Sequence, residues 1–180
     1  MKATGIVRRI DDLGRVVIPK EIRRTMRIRE GDPLEIFTNN DGEVVFKKYS
    51  PIGELAPFAS QYADVMARAC SLPVLISDRD HIVAAAGVPK KDFYERRISR
   101  QLEELMESRR QWSAGAGDTA RIQPVEGIDR FAGVVAPILS AGDITGCVCV
   151  LLPENGSLPS ESNVKLAQVA SAFLGKQMEE

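Results

Sequence analysis

The spacing of apolar and polar residues changes near Ser50-Pro51. Before that point, four short runs are rich in β-branched and other apolar residues: 4–10, 15–18, 34–38 and 43–48. Such runs, separated by segments rich in Gly, Asp and Asn, predict β-strands joined by turns. Residues 20–28 predict a short helix between the two pairs of strands, with Pro19 in its first position. The first part of the chain therefore predicts the order strand, strand, helix, strand, strand.

After Pro51 the pattern is longer and mixed. Three amphipathic stretches predict helices: 52–69, 98–106 and 166–174. Four apolar runs predict strands: 73–77, 81–86, 132–140 and 144–152. Ser160 or Ser162 is the expected N-cap of the closing helix. An antiparallel sheet with helices packed on it belongs to the α+β class, which is the fold class that the sequence predicts.

The chain is expected to form two domains, residues 1–51 and residues 52–180. The second has the usual size of a domain with its own core. The first is too small to bury much apolar surface, and its sequence offers no disulfide and no metal site. We therefore expect it to dimerise, with short hairpins exchanged between protomers. The connection Tyr49-Ser50-Pro51 lacks the Gly/Ser-rich composition of a flexible tether.

Charge differs between the two domains. The chain of 180 residues has a net charge of −1, with 24 Lys+Arg against 25 Asp+Glu. Residues 1–30 hold nine basic and four acidic residues, whereas residues 51–180 hold 13 basic and 17 acidic residues. A basic N-terminal domain on an acidic C-terminal one is typical of proteins that bind a polyanion. A charged surface that only aids solubility is the alternative at this point.

The basic residues of the first domain also form a pattern. On a helix over 20–28, four of them fall within an arc of about 100°: Lys20, Arg23, Arg24 and Arg27. Ile22 and Met26 fall on another side, which is expected to pack. Three more would cluster at one end of the ribbon if the first two strands pair: Arg8, Arg9 and Arg15. Arginine suits phosphate and guanine because its planar fork makes bidentate contacts. The alternative is a ribbon whose charges protect its strand edges.

These residues carry a family resemblance. The run from Thr4 to Pro19, Thr-Gly-Ile-Val-Arg-Arg-Ile-Asp-Asp-Leu-Gly-Arg-Val-Val-Ile-Pro, is followed by Glu-Ile-Arg-Arg-Thr at 21–25. It resembles the swapped-hairpin DNA-binding domain of the AbrB-type transition-state regulators. The match continues through Gly-Asp-Pro-Leu-Glu-Ile at 31–36 and through 43–48. The acidic domain behind it resembles the longer sporulation regulators of this family, whose C-terminal half is GAF-like.

The resemblance implies a looped-hinge, swapped-hairpin β-barrel dimer that binds double-stranded DNA, followed by a GAF-like antiparallel sheet with flanking helices. Four residues match the DNA-binding arginines of the family: Arg8, Arg15, Arg23 and Arg24. Four more basic residues are secondary candidates: Lys2, Arg9, Lys20 and Arg27. The resemblance also implies a homotetramer paired through its C-terminal domains. Such a regulator activates and represses sporulation genes in the cytoplasm, including that of the forespore.

Other residues give weaker signals. Cys147 and Cys149 share one face of a predicted strand, and buried apolar packing explains them more simply than redox chemistry. His81 is expected in or beside a loop. Trp112 is expected to fill a core gap, with a pocket wall as the alternative. Gly115-Ala-Gly117 lacks the strand and helix that a phosphate-binding loop needs.

Several classes of function are excluded at this stage. One histidine and no Cys-x-x-Cys pair give no zinc spacing. No set of Ser, His and Asp suggests catalysis, so we expect no enzyme and no cofactor apart from an unidentified effector of the GAF-like domain. The longest apolar stretch, 131–139, is too short to span a membrane, and no secretory signal is evident. The alternatives are an antitoxin-like or other interaction protein that dimerises through its first domain and, more remotely, a small enzyme in the second.

Overall fold

The computed structural model describes residues 4–115 and 121–179. The chain divides into two compact units, which we call the head (Met1–Tyr49) and the body (Ser50–Glu180). Lys2 lies outside the described residues, as do residues 116–120.

The head contains one short helix and one hairpin. Helix α1 comprises Lys20–Met26, strand β1 Leu34–Thr38 and strand β2 Val44–Lys48. The two strands pair antiparallel, with Ile36 opposite Phe46. Both strands and the turn between them were predicted from the sequence, because β-branched and aromatic residues flank an Asn/Asp/Gly loop.

The predicted strands at 4–10 and 15–18 are not formed in the single chain. A strand is stabilised by the ladder that it makes with a neighbour, and these segments have no strand partner among the described residues. Two details of the predicted helix were also wrong. It ends at Met26, because Arg27 takes a left-handed conformation with φ 51°. Pro19 is its N-cap and not its first helical residue.

The body contains a five-stranded antiparallel sheet. Its strands are β3 (Val74–Asp78), β4 (Ile82–Ala86), β5 (Trp112–Ser113), β6 (Ala132–Ser140) and β7 (Asp143–Leu151). Their order across the sheet is β4-β3-β7-β6-β5. The helices are α2 (Pro51–Glu54), α3 (Ala56–Cys70), α4 (Lys90–Phe93), α5 (Arg100–Glu107) and α6 (Glu161–Gln177). The predicted α+β class is confirmed.

Helices cover both faces of this sheet, so most residues of its long strands are buried, with successive side chains on opposite faces. On one face, Ile76 and Val148 pack with α2, α3 and α6. On the other face, Leu75 and Cys149 pack with Leu102 of α5 and with its neighbours. The resemblance implied an antiparallel sheet with flanking helices, and the body has this arrangement.

Local signals explain where the longest helix begins and how closely it packs. The Ser160 side chain accepts a hydrogen bond from the Asn163 amide at 3.2 Å, and Asn163 Oδ1 accepts one from the Ser160 amide at 2.9 Å. This capping box confirms Ser160, and not Ser162, as the N-cap. Near the other end, a Cβ added at Gly175 would meet the Leu139 carbonyl oxygen. Glycine therefore lets α6 approach β6 closely.

The first predicted helix of the body is interrupted. Leu55 separates α2 from α3, and Pro57 lies in the first turn of α3, where its missing N–H is tolerated. The short helix α4 was not predicted from the sequence. Within the described residues, no helix is long and apolar enough to cross a membrane.

Candidate nucleic-acid interface

A turn at Asp11–Arg15 holds one of the predicted DNA-binding arginines. The Asp11 side chain accepts hydrogen bonds through Oδ1 from the amides of Leu13 and Arg15, at 3.0 and 2.8 Å. Its Oδ2 accepts a bond of 2.8 Å from Arg15 Nε. The Gly14 amide donates to the Asp11 carbonyl, and Gly14 has φ +74°. One carboxylate thus sets both the turn and the direction of the Arg15 side chain.

The turn between β1 and β2 has the same construction. Asn39 Oδ1 accepts from the amides of Asp41 and Glu43, at 3.1 and 2.9 Å. The Gly42 amide donates to the Asn39 carbonyl, and Gly42 has φ +78°. In both turns the amide of the first residue also donates to the carbonyl of the fifth. The second turn joins two paired strands. Because the first turn makes the same hydrogen bonds, its backbone is also that of a hairpin turn.

These contacts explain the electrostatics of Asp11. Hydrogen bonds from the Arg15 backbone and side chain lower the pKa of the Asp11 carboxyl. The carboxylate therefore stays ionised, and the side chain of Arg15 remains 69% exposed. With Nε held by Asp11, the outer edge of the guanidinium is left for another acceptor.

Helix α1 presents two more of the predicted arginines. Arg23 and Arg24 lie in its last turn and are exposed. Their carbonyls accept hydrogen bonds from Ile28 and Arg27, at 2.8 and 3.3 Å, so that the helix ends on a left-handed cap. Lys20, a secondary candidate, is exposed at the start of the helix.

Arg27 is placed differently from the arginines of the helix. It is the left-handed cap residue and is half-buried. Its carbonyl accepts a bond of 3.0 Å from Lys48 Nζ, which also lies 3.6 Å from Asp32 Oδ2. Asp32 Oδ2 in turn accepts a bond of 2.8 Å from the Arg29 amide. These contacts fix the end of α1 against the last residue of β2.

The described candidates occupy three places in the head. Arg8 and Arg9 are exposed in the segment before the turn. Arg15 lies in the turn, and the others lie on α1 and its cap. Only residues 16–19 separate the turn from the helix, so the Cα atoms of Arg15 and Lys20 are at most about 18 Å apart. The short connection keeps the turn and the helix near each other, and among the described residues no contact joins their basic side chains.

The apolar residues of the head are largely uncovered. Among the described residues, Pro19 is the only buried one before Ser50. Val7 is 84% exposed, and Met26 on α1 is 55% exposed. The apolar side of α1, expected to pack, is therefore only partly covered within a single chain, since Ile22 is half-buried and Met26 is exposed.

Sequence reasoning missed the role of Asp11. It predicted a turn at Asp11–Gly14 but did not assign the carboxylate to the placement of Arg15. The signal was present, because Asp and Asn side chains often accept hydrogen bonds from the backbone two residues on.

The other residues singled out from the sequence lie in the body. Cys147 and Cys149 are buried in β7, where burial raises the pKa of both thiols. His81 is exposed and pairs with Arg97 in an isolated bridge. Trp112 is half-buried in β5. Among the described residues, no group of three or more His, Cys, Asp or Glu side chains could hold a metal ion.

Two family models match the chain. One is described as "Stage V sporulation protein T C-terminal, transcription factor" and covers residues 54–179. The other is described as "Antidote-toxin recognition MazE, bacterial antitoxin" and covers residues 7–53.

Similar proteins include both a full-length relative and relatives of the head. The chain is 50% identical over 182 residues to stage V sporulation protein T of Bacillus subtilis (strain 168), with all of both chains covered. It is 59% identical over 51 residues to the transition state regulatory protein AbrB of the same organism, covering 28% of this chain and 52% of that one.

One solved structure shares the fold of the body. It is the type II free methionine-R-sulfoxide reductase from Thermoplasma acidophilum, with a TM-score of 0.54 and 8% identity over 71% of this chain and 94% of that one. At this identity the similarity shows the fold alone.

Proposed function

The chain belongs to the stage V sporulation protein T family of DNA-binding transcription regulators, and from this premise we propose which residues bind DNA and how assembly controls them. Double-stranded DNA is bound by the head, at the Asp11–Arg15 turn and helix α1. The principal contacts come from Arg8, Arg15, Arg23 and Arg24. The secondary contacts come from Lys2, Arg9, Lys20 and Arg27. The regulator both activates and represses sporulation genes.

The observation that carries this proposal is the placement of Arg15. Asp11 holds the Nε of Arg15, and the Arg15 side chain is 69% exposed. The turn that carries it has the backbone conformation of a hairpin turn. A preordered arginine loses less conformational freedom when it binds. Arg23 and Arg24 follow on the next element and are exposed. Phosphate contacts would fix the position of the head, and guanine contacts in the major groove would select the sequence.

We propose that the head is a swapped dimer. Its uncovered apolar residues and the two segments without strand partners support this, because a second copy could pair with the segments and bury the residues. A β-barrel shared by two chains would present two copies of each arginine to one DNA.

We propose further that the bodies pair to give a homotetramer. Helices α3 and α6 carry an aromatic cluster in which the rings of Tyr62 and Phe173 stack at 5.5 Å. Phe173 is nevertheless exposed, as are Val169 on the same helix and Val65 on α3. Exposed aromatic and aliphatic side chains on two adjacent helices are typical of an interface.

In this proposal residues 1–51 are the DNA-binding domain, and residues 52–180 regulate assembly in response to a signal. The body is acidic overall and acts by linking heads, which raises their effective concentration on one DNA. The protein is not an enzyme and works in the cytoplasm, including that of the forespore. The antitoxin-like alternative accounts for the match of residues 7–53, whereas the full-length match favours the regulator.

The test is a mobility-shift titration of genomic fragments across a salt series. Each lost phosphate contact should lower the slope of log K against log salt by about 0.9. A dimer loses two contacts for each substitution, so Arg15→Ala or Arg24→Ala should lower it by about 1.8. Arg100→Ala is the control, since Arg100 is exposed in the body and pairs with Glu104. Wild-type affinity and slope in all four principal arginine variants would refute the assignment.

A further inference from the structure

A cavity of about 640 Å³ lies at one edge of the body sheet, where β5 and the start of β6 meet the chain that follows β7. This is within the range of small-molecule sites, about 300–1,000 Å³. Its wall includes four charged and two aromatic residues: Trp112, Arg121, Asp129, Arg130, Phe131 and Glu154. We call it the Arg130 cavity.

Arg130 is the charged residue of this cavity that has a buried donor without a partner among the described residues. Its side chain is only 22% exposed, and its Nη1 donates to Glu154 Oε1 at 2.9 Å. Its Nε is buried and has no hydrogen-bond partner within residues 4–115 and 121–179. A buried guanidinium donor without an acceptor is costly, so Glu154 satisfies Arg130 only in part.

Glu154 is a weak partner for this arginine. Its side chain is 87% exposed, and water competes for an exposed carboxylate. A ligand oxyanion that engages the two terminal donors, Nη1 and Nη2, side by side would replace the single Glu154 contact with two. Displacing Glu154 costs little, since its carboxylate is already largely hydrated.

The rest of the wall adds a second cation, the carboxylate of Asp129 and an apolar surface. The Arg121 guanidinium lies 5.2 Å from the centroid of the Phe131 ring, a cation–π distance that leaves its N–H edges accessible. Trp112 is half-buried beside it, and Leu152 follows β7. The Leu152 amide donates to the Phe131 carbonyl at 2.8 Å, which fixes this part of the wall.

We propose that the Arg130 cavity binds a small organic oxyanion, a carboxylate or phosphate carried by an apolar group, with Arg130 as its main ligand and Glu154 as the carboxylate that it displaces. The apolar group packs on Trp112 and Phe131, and Arg121 adds a second positive charge. The regulatory consequence rests on the sensing role proposed for the body, whereas the binding itself does not. The effector proposed for the body would then be a small organic oxyanion.

The full chain offers a direct reporter, because Trp112 is its only tryptophan. Its emission is measured while acetate, hexanoate, inorganic phosphate and hexyl phosphate are added at constant ionic strength. Hexanoate or hexyl phosphate should change the emission in a saturable way, and acetate and phosphate should bind more weakly because they lack the apolar group. Which of the two long-chain probes binds more tightly identifies the oxyanion. No saturable change with either would overturn the proposal.

Two variants should shift affinity in opposite directions. Arg130→Gln removes the charge and the fork, and should weaken binding about ten- to hundredfold. Glu154→Gln removes the competing carboxylate and should tighten binding. Arg100→Gln, which breaks an exposed ion pair of 2.9 Å outside the cavity, should leave affinity unchanged. Equal binding by the wild type and Glu154→Gln would refute the displacement even if Arg130→Gln failed to fold.

DNA titrations with and without the bound probe separate this inference from the proposed function. If the head arginine variants lose DNA affinity while the cavity binds nothing, the cavity proposal fails and the DNA-binding proposal stands. If the cavity binds its probe while those variants keep wild-type DNA affinity, the DNA-binding proposal fails and the cavity proposal stands.

Discussion

Replacing Gly14 by valine tests whether the Asp11–Arg15 turn positions Arg15 for DNA. Gly14 has φ +74°, a conformation that costs a residue with a Cβ about 1–2 kcal/mol. Among the described residues, no atom lies within 4 Å of where a Cβ would sit. The penalty is therefore one of backbone conformation and not of collision. Valine should incur the full penalty, because its β-branched side chain restricts the backbone and the χ1 angle.

This penalty can be relieved by opening the turn, which moves Arg15 away from Asp11. If DNA binding must restore the turn, affinity should fall by about the same energy, roughly 5- to 30-fold for each turn. Gly14→Asn should largely rescue binding, since asparagine tolerates the left-handed region. The measurement is a fluorescence anisotropy titration of a genomic fragment selected by mobility shift, at fixed salt.

Gly42→Val is a matched control within the same head. Gly42 has φ +78°, occupies the same position in a turn of the same construction, and also has no described atom near a Cβ. The two valine variants should lose similar stability, but only Gly14→Val should lose DNA affinity. Equal affinities for Gly14→Val and the wild type, or equal losses for both variants, would refute the positioning role of the Asp11–Arg15 turn.

Three further predictions concern the body. Ser160→Ala should lower the free energy of unfolding by about 0.5–2 kcal/mol in urea denaturation, because it removes the N-cap of α6, whereas Ser162→Ala should change it little. Gly175→Ala should lower the melting temperature, because its Cβ would meet the Leu139 carbonyl oxygen; an unchanged melting temperature would mean that α6 lies farther from the sheet. Burial raises the pKa of the Cys147 thiol from 9.0 to about 11, so its contribution to stability should be complete below pH 9 and lost as pH rises toward 11, and Cys147→Ala should flatten that decline.

The body was more predictable from its sequence than the head for a physical reason. Its strands and helices bury residues against one another within one chain, so the apolar pattern reports contacts that form locally. Strand β6 was predicted with its observed bounds. Segments 4–10 and 15–18 have the same β-branched composition, but no strand partner for them is described in the single chain. The β-branched pattern indicates that a segment tends to form a strand, but it does not indicate whether the neighbouring strand comes from the same chain or from another.

The candidate sites divide in the same way. The arginines of the head were identified because they cluster in sequence and match a known motif, and their contacts with DNA stay a prediction. The Arg130 cavity was not identified, because its residues are far apart in sequence and come together only through the pairing of β5, β6 and β7. Trp112, expected from the sequence to fill a core gap, packs against the core and also lines this cavity. Helix α4 was missed because four residues are too few to show a period.

The distribution of buried residues bears on the order of events during synthesis. Apart from Pro19, every buried apolar residue among those described lies after Ser50, although the head leaves the ribosome first. The body can fold as soon as its own chain is complete, whereas in the swapped dimer proposed above the head must first meet another chain. We expect the gain of DNA-binding competence to be second order in protein concentration at low expression. Translation of several chains from one messenger would shorten that wait by keeping nascent heads close together.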